Sequence, residues 1–188
     1  MKLSLKEKYR KEAVPQMQKV FGYKNTMAVP KILKVVINTS FGKTVATRTS
    51  GEREKIQNLI AQDLALISGQ KPKLVKSKKS IAGFKLREGL VIAATVTLRK
   101  DKMWDFLERL IYLSLPRSRD FKGIPQKVID KKGNLNIGFR EHIPFAEIFT
   151  EKEKTIFGLE VSVVTNAKSK EEGLELYKSL GFPIKEEK

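Results

Sequence analysis

Apolar residues recur along this chain with two periods, three to four residues in some stretches and two in others, and the switches between them mark out its elements. Ser4 and Glu7 have the spacing in which an N-cap hydroxyl and a carboxylate three residues on satisfy each other's backbone donors, which predicts a first helix ending before Gly22. Pro30 stops helix formation, and the β-branched run ILKVVIN at 32–38 predicts a strand. Thr49 and Glu52 repeat the capping spacing, and Ile56, Leu59, Ile60, Leu64 and Ile67 behind them form an apolar stripe that ends at Gly69. Residues 73–76 predict a short strand, and the polar, glycine-containing 77–89 an exposed loop. Along 90–99, Ile92, Ala94, Val96 and Leu98 point one way while Ala93, Thr95, Thr97 and Arg99 point the other. Asp101 is expected to cap a third helix in which Met103, Phe106, Leu107, Leu110 and Ile111 share a face, ending before Pro116. Residues 116–134 lack a period, 135–139 and 158–165 predict strands, and Ser169 with Glu172 caps a last helix through Leu180, closed by Gly181 and Pro183.

After the first helix the order is strand, helix, strand, strand, helix, strand, strand, helix. That order predicts an α+β fold: an antiparallel sheet of about five strands with helices packed mainly on one face, in the split β-α-β, RRM-like arrangement. The other sheet face is left free, and such faces bind single-stranded or irregular RNA in many proteins. No linker or internal repeat divides the chain, so residues 1–188 are expected to form a single RNA-binding domain.

Composition narrows the chemistry. The 188 residues include no cysteine and one histidine, which removes disulfides, thiol nucleophiles, thiolate zinc sites and multi-histidine metal clusters. His142, between Glu141 and Ile143, has no nucleophile beside it and reads as a surface or loop residue. There is no G-x-x-x-x-G-K-[ST] loop and no G-x-G-x-x-G turn, and the carboxylates fall mainly at helix starts and on helix faces. No catalytic residue, cofactor or metal is predicted. The longest nearly apolar run, 90–98, is far short of the roughly 20 residues a membrane span requires. The opening MKLSLKEKYR has no uncharged hydrophobic core, so a cytoplasmic protein without a membrane partner is expected.

The net charge is +17, and its distribution matters more than its size. Residues 1–35 carry nine basic and two acidic side chains, 71–100 nine and one, and 117–140 seven and two, whereas 141–160 carry two and five. Such concentration suits a polyanion, nucleic acid before an anionic membrane. Within GQKPKLVKSKKSIAGFKLREGLVIAATVTLR at 69–99, Lys78, Lys79, Lys85 and Arg87 surround a small Ala82-Gly83-Phe84 tip. Cations there neutralise phosphates and glycine permits close approach, while Phe84 either stacks on bases or folds back into the core.

LISGQKP, KKSIAGFKLREG and VTLR, in that order and spacing, closely resemble the bacterial large-subunit ribosomal protein family that binds 5S ribosomal RNA. FGYKNTMAVPKI, KVVIN, DFLERLIYLSLPRSRDFKGI, GNLNIGFREHIPFAEI and VVTNAKSKEEG extend the resemblance over nearly the whole chain. It implies a noncatalytic constituent of the large subunit, in the cytoplasmic ribosome, anchoring 5S rRNA in the central protuberance. The implied partners are 5S rRNA, 23S rRNA, P-site tRNA, neighbouring large-subunit proteins and a head protein of the small subunit. The family's 5S rRNA-binding positions fall on Asn38, Gln70, Phe84, Thr97 and Arg99, and the loop that reaches tRNA in the family places Lys78, Lys79, Lys85 and Arg87 at that contact. Two departures stand out. Asn38-Thr39-Ser40-Phe41-Gly42 replaces the family's N-x-G-x-G turn, and HIPFAEI, from His142 past Glu147, orders Pro and Phe differently. The acidic 141–160 suits a protein contact better than RNA, since like charge repels phosphate. The competing reading is a free-standing single-stranded nucleic-acid binder using the same sheet face.

Overall fold

A computed structural model describes residues 3–148 and 155–185. Five strands, β1 (Ile32–Ser40), β2 (Lys73–Lys76), β3 (Val91–Leu98), β4 (Leu135–Phe139) and β5 (Leu159–Thr165), form one open antiparallel sheet in the order β2-β3-β1-β5-β4. β3 lies between β1 and β2, the split β-α-β order that the sequence predicts. Helix α1 is built from Leu5–Lys8, a wide turn Tyr9–Ala13, and Val14–Phe21. The short α2 (Gly42–Ala46) and the long α3 (Ser50–Ser68) follow β1. Next comes α4, from Lys100–Arg109 through a wide turn Leu110–Ser114 to Leu115–Arg117, and α5 (Lys170–Leu180) is last.

Local chemistry sets most of these boundaries. Reciprocal capping boxes, Ser4 with Glu7 and Thr49 with Glu52, start α1 and α3, and the Ser169 hydroxyl accepts from the Glu172 N–H at the start of α5. The bonds from the backbone N–H and hydroxyl of Thr49 hold the Glu52 carboxyl below its ordinary range. Left-handed Gly22, Gly69 and Gly181 close the three helices.

Two boundaries differ from expectation. Asp101 is not a cap: extended Arg99 precedes α4, and Asp101 sits in its first turn. Nor does α4 stop before Pro116. In both α1 and α4 a proline, Pro15 and Pro116, stands two residues after a wide turn whose closing bond spans five residues, Val14 N–H to Tyr9 O and Leu115 N–H to Leu110 O. A wide turn shifts the carbonyl register that a proline ring would otherwise strike, so the helix continues.

The chain gathers into two compact units. One comprises residues 1–35, 98–137 and 161–188, the other 36–97 and 138–160. In the first, α1 packs on α4 and α5 around buried Met17, Phe106, Leu107, Leu176 and Tyr177. Between β4 and α5 the backbones of Gly133 and Gly173 approach so closely that a Cβ on Gly173 would stand 2.5 Å from the Gly133 Cα. In the second unit, Ile60, Leu64 and Ile67 of α3 are buried, as are Ile37 of β1 and Ala94 and Val96 of β3. Leu59, expected on that stripe, is exposed together with Leu66 one face round. His142 lies in a turn, as the loop reading expects, but not on the surface: it is fully buried, stacked on Phe157 with ring centroids 4.0 Å apart, and its Nδ1 accepts from the Phe157 N–H at 3.4 Å. Pro144, Phe145 and Ile148 of the same turn are buried, so the reordered HIPFAEI serves packing. Of the acidic stretch 141–160, residues 149–154 lie outside the described residues. No described helix is long and apolar enough to cross a membrane.

Candidate nucleic-acid interface

The alternation of β3 creates the first surface of the second unit. Ala94 and Val96 are buried, and the intervening Ala93, Thr95 and Thr97 face away from that core. On β1, Ile37 and Thr39 are buried, which turns Val36, Asn38 and Ser40 to the same open side. The register pairs Lys73 with Thr95 and Val75 with Ala93, so Lys73 joins this face from β2. Thr95 is spent internally, its hydroxyl donating to the Ile37 carbonyl at 3.2 Å and tying β3 to β1. Thr39 is buried and donates to the Gly158 carbonyl at 2.7 Å. Asn38, Thr97 and Lys73 are left to present an amide, a hydroxyl and an ammonium to the outside.

β1 also explains the first departure from the family pattern. Ser40 still belongs to the strand, and Phe41 is buried with its N–H donating to the Ile92 carbonyl at 2.9 Å, so the chain enters α2 without an N-x-G-x-G turn. At the α3 exit the buried Ser68 hydroxyl lies 2.6 Å from the Leu64 carbonyl and 2.9 Å from that of Gln70, and it accepts from the Gln70 N–H. Gln70 is thereby held exposed at the turn into β2.

The loop at 77–89 is exposed but not irregular. Its base is closed by Ser77 N–H to the Leu90 carbonyl at 2.7 Å and Gly89 N–H to the Ser77 carbonyl at 3.0 Å. A second rung joins Ile81 and Leu86 in both directions, and the Ser80 hydroxyl accepts from the Glu88 N–H at 2.9 Å. Beyond this rung the tip makes one tight turn, Ala82–Phe84, which closes through Lys85 in the left-handed region at φ 52°. For a lysine that conformation costs on the order of 1 kcal/mol. Phe84 stands 67% exposed at the tip, so it does not fold back into the core. Lys78, Lys79, Lys85 and Arg87 are all exposed around it.

The structure therefore places Asn38 and Thr97 on one sheet face, and Phe84 with the four cations on one loop, with Gln70 at a helix exit. Arg99 is exposed at the N-terminus of α4, in the first unit. Lys73 was missed by sequence reasoning; its signal was the period-two pattern of β2, which needs the β2–β3 register to become a face.

Two sequence profiles cover most of the chain: ribosomal protein L5 matches residues 25–87, and the ribosomal L5P family C-terminus matches 91–184. The large ribosomal subunit protein uL5 of Desulforapulum autotrophicum is 50% identical over 182 residues, 97% of this chain and 98% of the relative. That of Geotalea uraniireducens is 49% identical over 96% of this chain and 98% of its own, and that of Streptococcus thermophilus 47% over 96% and 97%. Identity of this extent over nearly the whole chain establishes that the chain belongs to the ribosomal protein L5 family: it is a structural, non-enzymatic constituent of the large ribosomal subunit, with ribosomal RNA and ribosomal proteins as its partners in the cytoplasmic ribosome.

Proposed function

We propose that this protein anchors 5S rRNA in the central protuberance, with Asn38, Gln70, Phe84, Thr97 and Arg99 on the 5S RNA and Lys78, Lys79, Lys85 and Arg87 of the 77–89 loop on P-site tRNA. On this reading the 1–188 chain acts as one RNA-binding domain, and the acidic 141–160 meets a head protein of the small subunit. The observation that carries it is the pairing of a polar sheet face, Asn38 with Thr97, with a hydrogen-bonded loop that holds an exposed phenyl ring among four cations. The amide offers a donor and an acceptor at one position and the hydroxyl adds another such pair, which suits bases and riboses; the ring supplies a stacking surface and the cations neutralise phosphate.

Selectivity tests the reading, because salt dependence is shared by every polyanion binder. The chain should bind 5S rRNA more tightly than equal amounts of tRNA or unrelated single strands at physiological salt, and equal affinities would sink the proposal. Asn38→Ala and Thr97→Ala should each weaken 5S binding by about fivefold to tenfold through a lost directed bond. Lys79→Glu with Arg87→Glu should spare 5S binding and disturb P-site tRNA. Equal loss of 5S binding in that double variant would mean that the loop and the sheet face are one site.

A further inference from the structure

The first unit holds a cleft that the family reading leaves unused. Its volume is about 370 Å³, and its walls bring together side chains of α1, β1 and α4. Tyr9 and Trp104 meet at one side with ring centroids 5.6 Å apart and planes inclined by 32°. The Tyr9 hydroxyl is committed to the Pro30 carbonyl at 3.1 Å, and burial pushes its pKa up, so Tyr9 acts as a wall that fixes the indole. Trp104 itself is half-exposed. Leu33, 42% exposed, continues the apolar surface beside it.

Four cations line the same cleft: Lys6, Arg10, Lys31 and Lys100. The Asp101 carboxylate lies beside them. The Lys6 ammonium donates to Asp101 at 2.5 Å, and that bond with the Lys6 charge, assisted by Lys100 and Arg10, holds the Asp101 carboxyl below its ordinary range. Lys6 is thus neutralised, and Arg10, Lys31 and Lys100 remain exposed. Lys31 is held by its backbone, which donates to the Asn166 side chain at 2.6 Å and accepts from the Asn166 N–H at 3.2 Å.

We propose that this cleft holds a single unstacked RNA nucleotide, its base against Trp104 and its flanking phosphates on Arg10, Lys31 and Lys100. The argument is chemical. Cations in excess of carboxylates select an anion, and an indole beside one aliphatic side chain selects a flat π-system. The volume lies at the lower end of small-ligand sites, enough for one nucleotide and too little for a lipid's acyl chains. A base inside a duplex cannot reach such a surface, so the strand must be single or its base turned out. The inference rests on the ribosomal assignment for the presence of RNA, and not on the 5S reading.

Trp104 is the only tryptophan, so its emission reports on this cleft. The full chain is titrated with a single-stranded RNA hexanucleotide, a duplex of the same length, 5′-AMP and a polyglutamate peptide. The single strand should quench the emission, and Arg10→Glu with Lys31→Glu should raise the midpoint by about tenfold or more. Both substitutions are at exposed side chains, and the backbone bonds of Lys31 survive them. Absent quenching, or quenching untouched by the charge reversal, would overturn the proposal. Equal quenching by the duplex would remove the nucleotide-stacking claim, equal quenching by polyglutamate would make this an acidic-peptide surface, and saturation by 5′-AMP alone would make it a free-nucleotide site; each refutes the proposal. Affinity for 5S rRNA is measured in parallel. Asn38→Ala should lower 5S affinity and leave the quenching intact, so failure of either proposal is recognised separately.

Discussion

Replacing Gly173 with alanine adds one methyl group to a helix, a change that intrinsic propensity favours by about 1 kcal/mol. Here the sign should reverse. The new Cβ would lie 2.5 Å from the Gly133 Cα and 2.7 Å from its carbonyl oxygen, against an ordinary carbon contact of about 3.5–4.0 Å, so backbone must move by about 1 Å. Neither partner can yield cheaply. The Gly133 carbonyl accepts from the Tyr177 hydroxyl at 3.0 Å and from the Thr165 hydroxyl at 3.1 Å, and Tyr177 is buried on the same helix as Gly173. Overpacking costs about 1–3 kcal/mol and each weakened bond adds up to about 1, so after the propensity gain a net loss of about 2 kcal/mol is expected. For a chain of this size that lowers Tm by about 4–8 °C. Gly51, also helical, has nothing within 4 Å of its Cβ position, so Gly51→Ala serves as the control and should match or exceed the wild type. Thermal and urea denaturation of both variants checks the pair. A Gly173→Ala protein as stable as the parent would refute the reasoning.

His142→Ala should cost about 2–4 kcal/mol, because it empties a fully buried ring site against Phe157 and removes the acceptor for the Phe157 N–H; urea midpoints measure it, and a loss below about 0.5 would contradict the packing described. Asp130 gives a pH prediction. Burial works to raise its carboxyl, but the bonds from the Asn134 side chain and from the Asn134 and Lys132 N–H groups prevail and hold it below its ordinary 3.8. A depressed carboxyl stabilises the fold above its unfolded pKa and loses that contribution as pH falls through the folded value. The stability gap between wild type and Asp130→Asn should therefore be constant from pH 7 to about pH 5 and shrink progressively below about pH 4; a gap undiminished at pH 2 would refute the assignment. Phe84→Ala should leave stability within about 0.5 kcal/mol, since the ring is mostly exposed, while weakening RNA binding by about tenfold; a large stability loss would return Phe84 to the core.

What the sequence disclosed was what local chemistry decides. Ser4 with Glu7 and Thr49 with Glu52 are capping boxes whichever fold surrounds them, and the alternation of 90–99 forced Thr97 and Ala94 to opposite sides before any partner strand was known. The misses depend on distant segments. Asp101 looks like a cap, but its carboxylate is taken by Lys6 of α1, 95 residues away in the chain. Pro116 reads as a stop because nothing in its neighbourhood announces the wide turn that admits it. Leu59 and Ile60 are equally apolar, and only the packing of α3 decides which is covered. His142 is polar by type and surrounded by charge in sequence, yet Phe157 comes fifteen residues later to bury it. For the candidate site, the resemblance supplied residue names, but the exposure of Phe84 and the alignment of Lys73 with Thr95 required the folded loop and the strand register.

The discontinuity of the two units constrains how the protein comes into being. β1 delivers Val35 to one unit and Val36 to the other, and the first unit draws on 1–35, 98–137 and 161–188. Synthesis proceeds from the N-terminus, so α1 emerges long before α5, one of the two helices that cover it. Until residues 161–188 leave the exit tunnel, Met17 and Phe106 have no complete core to enter, while segment 36–97 already carries the end of β1 with α3, β2 and β3. A nascent chain should accordingly become protease-resistant in its middle first and at both ends last. Premature termination near residue 160 would leave α1 and α4 without the helix that completes their core.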